Sequence, residues 1–395
     1  MNMPFNPQSA ARSVARAQRR PPFDCIALLL QGGGALGAYQ GGVYEALAQA
    51  DLYPDWIAGI SIGAINAALI AGNAPETRVE KLRTFWQTVT EHPLGGWTYN
   101  PPFDLGGDAA RQVAIRYSGA LAMLHGAPGF YTPRTLPPWL QAAGTAGATS
   151  FYDTSALKGT LERLVDFDRI NSGEMRFSVG AVNVTTGNFV YFDNRTHNIR
   201  PEHIMASGAL PPGFAAVEID GEYYWDGGLV SNTPLQWVLE CADRKDTLAF
   251  QVDLWSARGA LPRTLGEAVT RQKDIQYSSR TRASSDQFKK VQQLRGALAE
   301  LFEKLPNELK ATPEFALLSP EADRKVYNII QLIYRSKQYE EESKDFEFSR
   351  QSMEDHWTAG HHDMVRTLRH PEVLQRPASP EGVFTFDVAT QGRMS

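Results

Sequence analysis

Of the 395 residues only two, Cys25 and Cys241, are cysteine. Two cysteines make neither a disulfide framework nor a zinc cluster, and a reducing compartment is the simpler expectation. Apolar runs are short. None approaches the ~20 residues that span a bilayer, and Ile26–Leu30 is far below that length. Excess positive charge is missing as well. The net charge of −5 argues against nucleic acid as a partner. No internal repeat is present. With 43% hydrophobic residues, the chain can still fill one large core and carry an appended region.

Residues 1–22 hold Arg12, Arg16, Arg19 and Arg20, no acidic residue and no apolar stretch, and they end in Pro21-Pro22. The segment therefore reads as a disordered basic tail and not as a secretory signal, with a transit peptide or an anchor to anionic lipid as the lesser reading.

Phe23–Leu30 is apolar without alternation, which predicts a buried parallel strand. Gln31-Gly32-Gly33-Gly34-Ala35-Leu36-Gly37 follows, then a helix over Ala38–Gln49. A glycine loop between strand and helix presents successive backbone N–H groups and makes an anion cradle. Gly32, Gly34 and Gly37 also fit the G-x-G-x-x-G pattern of dinucleotide sites. That pattern requires an acid at the end of the next strand, and here the next strand ends in Gly59-Ile60-Ser61 instead.

Gly59-Ile60-Ser61-Ile62-Gly63 is a G-x-S-x-G run. Trp56-Ile57-Ala58 enters it as a strand, and Ala64–Ile70 leaves it as a small-residue helix. A strand, a one-residue corner and a helix form a nucleophile elbow, which lifts the serine over the sheet edge. Gly59 and Gly63 belong where a side chain would crowd the turn. In a parallel sheet the two loops are neighbours, so Gly33 and Gly34 could face Ser61 as an oxyanion hole.

A serine nucleophile needs a base. None of the eight histidines lies in a glycine-turn setting within the α/β portion. Asp226-Gly227-Gly228 does, and desolvation would strengthen its carboxylate as a base. The ordinary alternative for Asp-Gly is a turn-capping aspartate.

Three ordered blocks, Gly32–Gly37, Gly59–Gly63 and Asp226–Gly228, resemble the patatin-like phospholipase family. The Ala206–Phe214 segment resembles the family's serine- and proline-containing block. The likeness spans about Phe23 to Leu254. A second stretch, Ser349–Gly360, resembles the C-terminal helical extension of a bacterial subset of that family, over about Arg258 to Pro377.

The resemblance implies a three-layer α/β/α fold with a mainly parallel sheet, plus a C-terminal helical extension. It implies hydrolysis of lipid carboxylic esters by Ser61 as nucleophile and Asp226 as base. The Gly32-Gly33-Gly34 loop would be the oxyanion hole, and no metal or cofactor is implied. It further implies a cytoplasmic setting with lipid or acyl-ester substrate and, at most, peripheral membrane contact. Gln31 stands where many relatives have Asp, and Asp-Gly-Gly replaces the commoner Asp-Gly-Ala. Neither change alters a reacting group. Two competing readings stay open: a lapsed site that binds lipid or a partner, and a Ser-His-Asp hydrolase whose histidine comes from the tail. Nothing in the sequence fixes an oligomeric state.

The expected organisation is a tail at 1–22, a catalytic domain at 23–255, a helical extension at 256–378 and a tail at 379–395. Thr77–Thr90 reads as a helix with Leu82, Phe85, Trp86 and Val89 inward. Met175–Val184, Asn188–Phe192 and Thr247–Leu254 read as strands. Residues 91–150 look irregular yet carry Trp97, Phe103, Leu105, Met123, Leu124, Phe130, Tyr131 and Trp139. That stretch is either a cover over an apolar site or an insertion packed on the core. Arg295–Leu305 and Lys325–Arg335 look like amphipathic helix, and Lys337–Arg350 like a solvated, charged helix face. His356 and Trp357 are expected to pack on the catalytic domain. His361 and His362 are expected to be ordinary helix residues, since the tail histidines lack metal-ligand spacing.

Overall fold

A computed structural model describes residues 20–91, 108–241, 243–278, 281–336, 340, 343–377 and 382–387. Expectations that fall on 1–19, on Trp97, Phe103 and Leu105, and on 388–395 lie outside the described residues.

The strands are β1 (Cys25–Leu30), β2 (Trp56–Ile60), β3 (Thr132–Pro133), β4 (Tyr152–Asp153), β5 (Arg176–Asn183), β6 (Phe189–Asp193), β7 (Val217–Ile219), β8 (Glu222–Asp226), β9 (Thr247–Asp253), β10 (Tyr327–Ile333) and β11 (Val383–Phe386). Among the described residues, nine of them form one sheet in the order β11-β10-β9-β1-β2-β5-β8-β7, with β6 also paired to β5. Pairing is parallel from β11 through β5 and antiparallel for β6, β7 and β8. The short β3 and β4 pair separately.

β1 shows why its run lacks alternation. Ile26, Leu28 and Leu30 pack with the helices Ala38–Gln49, Ile62–Ala71 and Arg78–Val89 on one face. Cys25, Ala27 and Leu29 pack on the other face with Leu235, Val238, Leu239 and Phe288. A strand covered on both sides needs apolar residues at every position, and helices on both sides make the fold three-layered.

Four expectations need correction. Residues 91–150 are not irregular throughout, because Asp108–His125 is a helix. Lys325–Arg335 is not a helix. Its β-branched centre, Tyr327–Ile333, pairs in parallel with β9 as an interior strand. The region 256–378 therefore adds to the sheet as well as supplying helices. The 379–395 tail contains β11, which completes the sheet beside β10. The described part of Lys337–Arg350 is not a solvated helix face. Glu340, Ser343, Lys344, Glu347 and Ser349 are buried there, and the charges of Lys344 and its neighbour Asp345 meet partners from another segment. Lys344 Nζ lies 2.7 Å from Asp274 and Lys273 Nζ lies 2.8 Å from Asp345.

The helix Arg350–Leu368 lies directly on Ala38–Gln49. Glycines let the two backbones touch. A Cβ at Gly42 would overlap the Trp357 carbonyl, and one at Gly360 would overlap the Tyr39 carbonyl. Trp357 is fully buried there and donates to Glu45 at 2.5 Å, while Arg83 sits 4.0 Å above its ring and pairs with Glu45 and Glu354. So Trp357 packs against the N-terminal half, whereas His356 meets Tyr334 and Glu340 of the C-terminal region instead. Gly360→Val should force these helices apart and cost more than about 2 kcal/mol, because neither colliding group is a flexible side chain. Urea unfolding measures it, and a change under about 0.5 kcal/mol would mean the helices are not in backbone contact.

Candidate active site

Ser61 occupies the corner between β2 and the helix Ile62–Ala71, at φ 55 and ψ −125. A positive φ at a non-glycine residue costs on the order of 1–3 kcal/mol and persists only where the surroundings impose it. Here they do. A Cβ at Gly59 would overlap the Gly63 backbone, and one at Gly63 would overlap the Leu30 carbonyl. The helix can therefore start only if both positions lack side chains. The Ser61 N–H donates to Ser207 Oγ at 3.0 Å, and Ser207 in turn donates to the Gly180 carbonyl at 2.7 Å. Ser207 belongs to the Ala206–Phe214 block, so that block supports the corner.

Asp226 ends β8, opposite Ala181 of β5, and is 2% exposed. Its Oδ1 accepts the Gly228 N–H at 2.7 Å. Gly227 is required by space, since a Cβ there would lie 2.6 Å from the Gly180 carbonyl oxygen. Burial pushes the Asp226 carboxyl up to about 7, against the opposing pull of hydrogen bonds from the Ser61 hydroxyl and the Gly228 N–H. The turn cap uses one lone pair of one oxygen, which leaves the rest of the carboxylate open to other partners.

The glycine loop lies over the same spot. Gly34 has φ +56, and a Cβ on Gly32 would come to 3.0 Å from the Ser61 Cβ. The Gly32 N–H points to the Asn232 carbonyl at 3.4 Å, and the Ala35 N–H donates to the Asp345 carbonyl at 2.8 Å. That leaves the Gly33 and Gly34 N–H groups without a protein acceptor among the described residues. The Gly32 N–H is thus already engaged, and Gly32 lies close enough to Ser61 that a side chain there would meet it. Gly37 has a packing role beside Ile62 and Trp86.

Ser61, Asp226, Gly32, Gly33, Gly34 and Gly228 all border one cavity of about 460 Å³. One part of its wall is aromatic. Phe130 stands 5.9 Å from Phe214 and 6.0 Å from Phe348, and Tyr131 stands 5.0 Å from Tyr152, between ring centroids. Met123, Phe130 and Tyr131 show that part of the 91–150 stretch faces this cavity, whereas Trp139 points away at 76% exposure. Lys273, Tyr277, Asn232 and Asp345 supply the polar part of the wall.

Several of these residues carry no local motif. Gln31 is a junction: its Oε1 accepts from the Leu254 and Trp255 N–H groups at 2.6 and 3.1 Å, and its Nε2 donates to Thr233 and the Tyr277 carbonyl. Asn232 Nδ2 donates to the Gly32 and Tyr277 carbonyls, and the Trp255 indole donates to the Gly32 carbonyl at 2.8 Å. Beneath the loop, buried Asn66 donates to Gly37 and Gln40 and accepts from Trp86. A buried amide between two apolar helices is the one signal the sequence offered for that network.

Among the described residues no histidine borders the cavity, no group of His, Cys, Asp and Glu could hold a metal, and no helix is long and apolar enough to cross a membrane. His203 is buried against Phe192, which lowers its pKa to about 4. His356 lies 3.6 Å from Glu340, away from Ser61's cavity. His361 meets Gln49 at 2.9 Å.

Carbon-13 NMR of aspartate-labelled protein should show one carboxyl titrating near pH 7 that Asp226→Asn removes. Ser61→Ala deletes a hydrogen bond to the charged form, so it should raise that midpoint further. A midpoint at the ordinary carboxylate value would contradict the desolvated site.

A sequence model described as patatin-like phospholipase matches residues 28–238, just over half of the chain. A second, described as patatin phospholipase, matches 275–380. No curated protein matches. Among solved structures, VipD from Legionella pneumophila aligns at 15% identity and a TM-score of 0.39, over 93% of this chain and 72% of that one. With its G-x-S-x-G elbow, glycine loop and Asp-Gly-Gly turn all inside the matched span, the chain belongs to the patatin-like phospholipase family.

Proposed function

We propose that the protein is a serine acyl hydrolase that cleaves lipid carboxylic esters through Ser61 and Asp226. One observation carries this reading. A serine held at a strained corner and a buried, raised-pKa aspartate share a cavity with one aromatic wall, and its free N–H groups come from a glycine loop.

The chemistry follows from the parts. With Asp226 ionised, its carboxylate takes the proton of the Ser61 hydroxyl as Oγ attacks the acyl carbonyl. Negative charge develops on the carbonyl oxygen. The Gly33 and Gly34 N–H groups offer it two fixed dipoles, and the N-terminus of the Ile62–Ala71 helix adds a positive potential. Asp226 then returns the proton to the leaving alcohol oxygen as the C–O bond breaks. Water enters, loses its proton to Asp226, and attacks the acyl-serine. Ser61 recovers its proton as the fatty acid departs. An aspartate near pKa 7 suits both halves, since it is a stronger base than an exposed carboxylate and still gives the proton back. No histidine is required, which agrees with their absence from the cavity wall among the described residues. The apolar wall suits an acyl chain, with Phe130, Phe214 and Phe348 as its main surface.

Asp226→Asn should lower turnover by about 10⁴-fold, and each histidine-to-alanine variant should stay within about tenfold of the parent. Steady-state hydrolysis of a soluble ester by folded variants measures both. One histidine variant falling as far as Ser61→Ala would show a triad instead. Phe348→Ser should reduce hydrolysis of long-chain esters more than short-chain ones. An equal loss for both would assign Phe348 to folding and not to chain binding.

A further inference from the structure

The segment that lines the cavity also has an outward face that is left exposed among the described residues. Val113, Tyr117 and Leu124 on the Asp108–His125 helix are 67%, 55% and 69% exposed. Leu136, Trp139 and Leu140 follow at 56%, 76% and 66%. These residues belong to one local unit. Tyr152 Oη donates to the Met123 carbonyl at 3.1 Å, Arg134 N–H donates to the Phe151 carbonyl, and Gln141 reaches back to the Leu136 carbonyl. Large apolar side chains concentrated at this exposure are costly in water unless something covers them.

Charge points to the occupant. Residues 109–152 contain Arg111, Arg116 and Arg134 and not one Asp or Glu, in a chain whose net charge is −5. Position points the same way. Met123 borders the cavity while Leu124, next in the chain, faces outward. Tyr152 borders it while Phe151 is 47% exposed. At two places, then, consecutive residues put one apolar side chain on the cavity wall and the next on the outside. Arg134 pairs with Asp153 at 3.4 Å, so the basic excess of the stretch comes from Arg111 and Arg116. A tryptophan and leucines beside such arginines is the composition of a surface that settles into the headgroup layer of an anionic bilayer.

We propose that residues 113–140 are a docking face for an anionic lipid surface, which sets the cavity rim against the bilayer so that an acyl chain can pass into it. The proposal rests on the lipid-hydrolase reading, so binding and chemistry are tested separately. Full-length Ser61→Ala protein, which leaves the lipid intact, is sedimented with vesicles of phosphatidylglycerol and with vesicles of phosphatidylcholine. It should bind the first, more weakly as salt rises, and bind the second far less. Trp139→Glu combined with Leu140→Glu should lower partitioning at least about tenfold, and Leu124→Glu on the neighbouring helix should lower it independently. In the Ser61 background, the same exposed-face variants should hydrolyse a monomeric short-chain ester at the parent rate while losing activity on vesicles. Vesicle binding unchanged by both variants overturns the proposal, as does equal binding to both lipids. A parent that fails to bind but forms a dimer broken by Trp139→Glu and Leu140→Glu overturns it in favour of self-association. Loss of soluble-ester activity by the parent itself would instead count against the hydrolase reading.

Discussion

Everything at the cavity depends on backbone passing backbone at the Ser61 corner. The helix Ile62–Ala71 leaves β2 so abruptly that Gly63 presses on the end of β1 and Gly59 presses on Gly63. Ser61 absorbs the turn with a positive φ, and its N–H is held by Ser207. Because β1 and β2 are parallel neighbours in register, with Leu30 beside Gly59, the loop that follows β1 must lie over the corner. Antiparallel β8 then brings Asp226 in from the far side of β5. Three separate chain segments meet at one point because the sheet order allows no other arrangement.

The second half of the chain is part of this site and not an accessory to it. The Asp345 carbonyl takes the Ala35 N–H, Phe348 joins the aromatic wall, and Tyr277 and Lys273 close the polar side. Strand β10 anchors this region by pairing with β9, and the helix Arg350–Leu368 anchors it by backbone contact with Ala38–Gln49. The charged residues of this segment are neutralised pairwise, Lys273 with Asp345 and Lys344 with Asp274, which makes their burial tolerable. The wall opposite Ser61 is thereby tied to the same sheet that carries the serine.

What could be read in the sequence was what is encoded locally. The apolar run of β1, the glycine loop, the elbow and the Asp-Gly-Gly turn each need particular residue types at fixed spacing, and each appears as expected. The wall could not be read, because its residues are specified by distant partners. Lys344 and Asp345 look like solvent-facing charges until Asp274 and Lys273, some seventy positions earlier, are placed beside them. Lys325–Arg335 mimics an amphipathic helix because charged residues flank it, yet Ile329, Ile330 and Leu332 are buried in the sheet beside β9. Gln31 appeared to be a neutral replacement for an acid. In the fold its amide binds four groups from three segments, which a carboxylate without N–H donors could not do.

If one strained serine, Ser61, carries the chemistry, a covalent probe should find it alone. Exposure of the whole protein to a fluorophosphonate ester, followed by intact-mass analysis and peptide mapping, tests this most directly. One adduct per chain, on the peptide containing Ser61 and absent from Ser61→Ala, is the predicted result. An adduct on any other residue, or an unmodified Ser61 in folded protein, would contradict it.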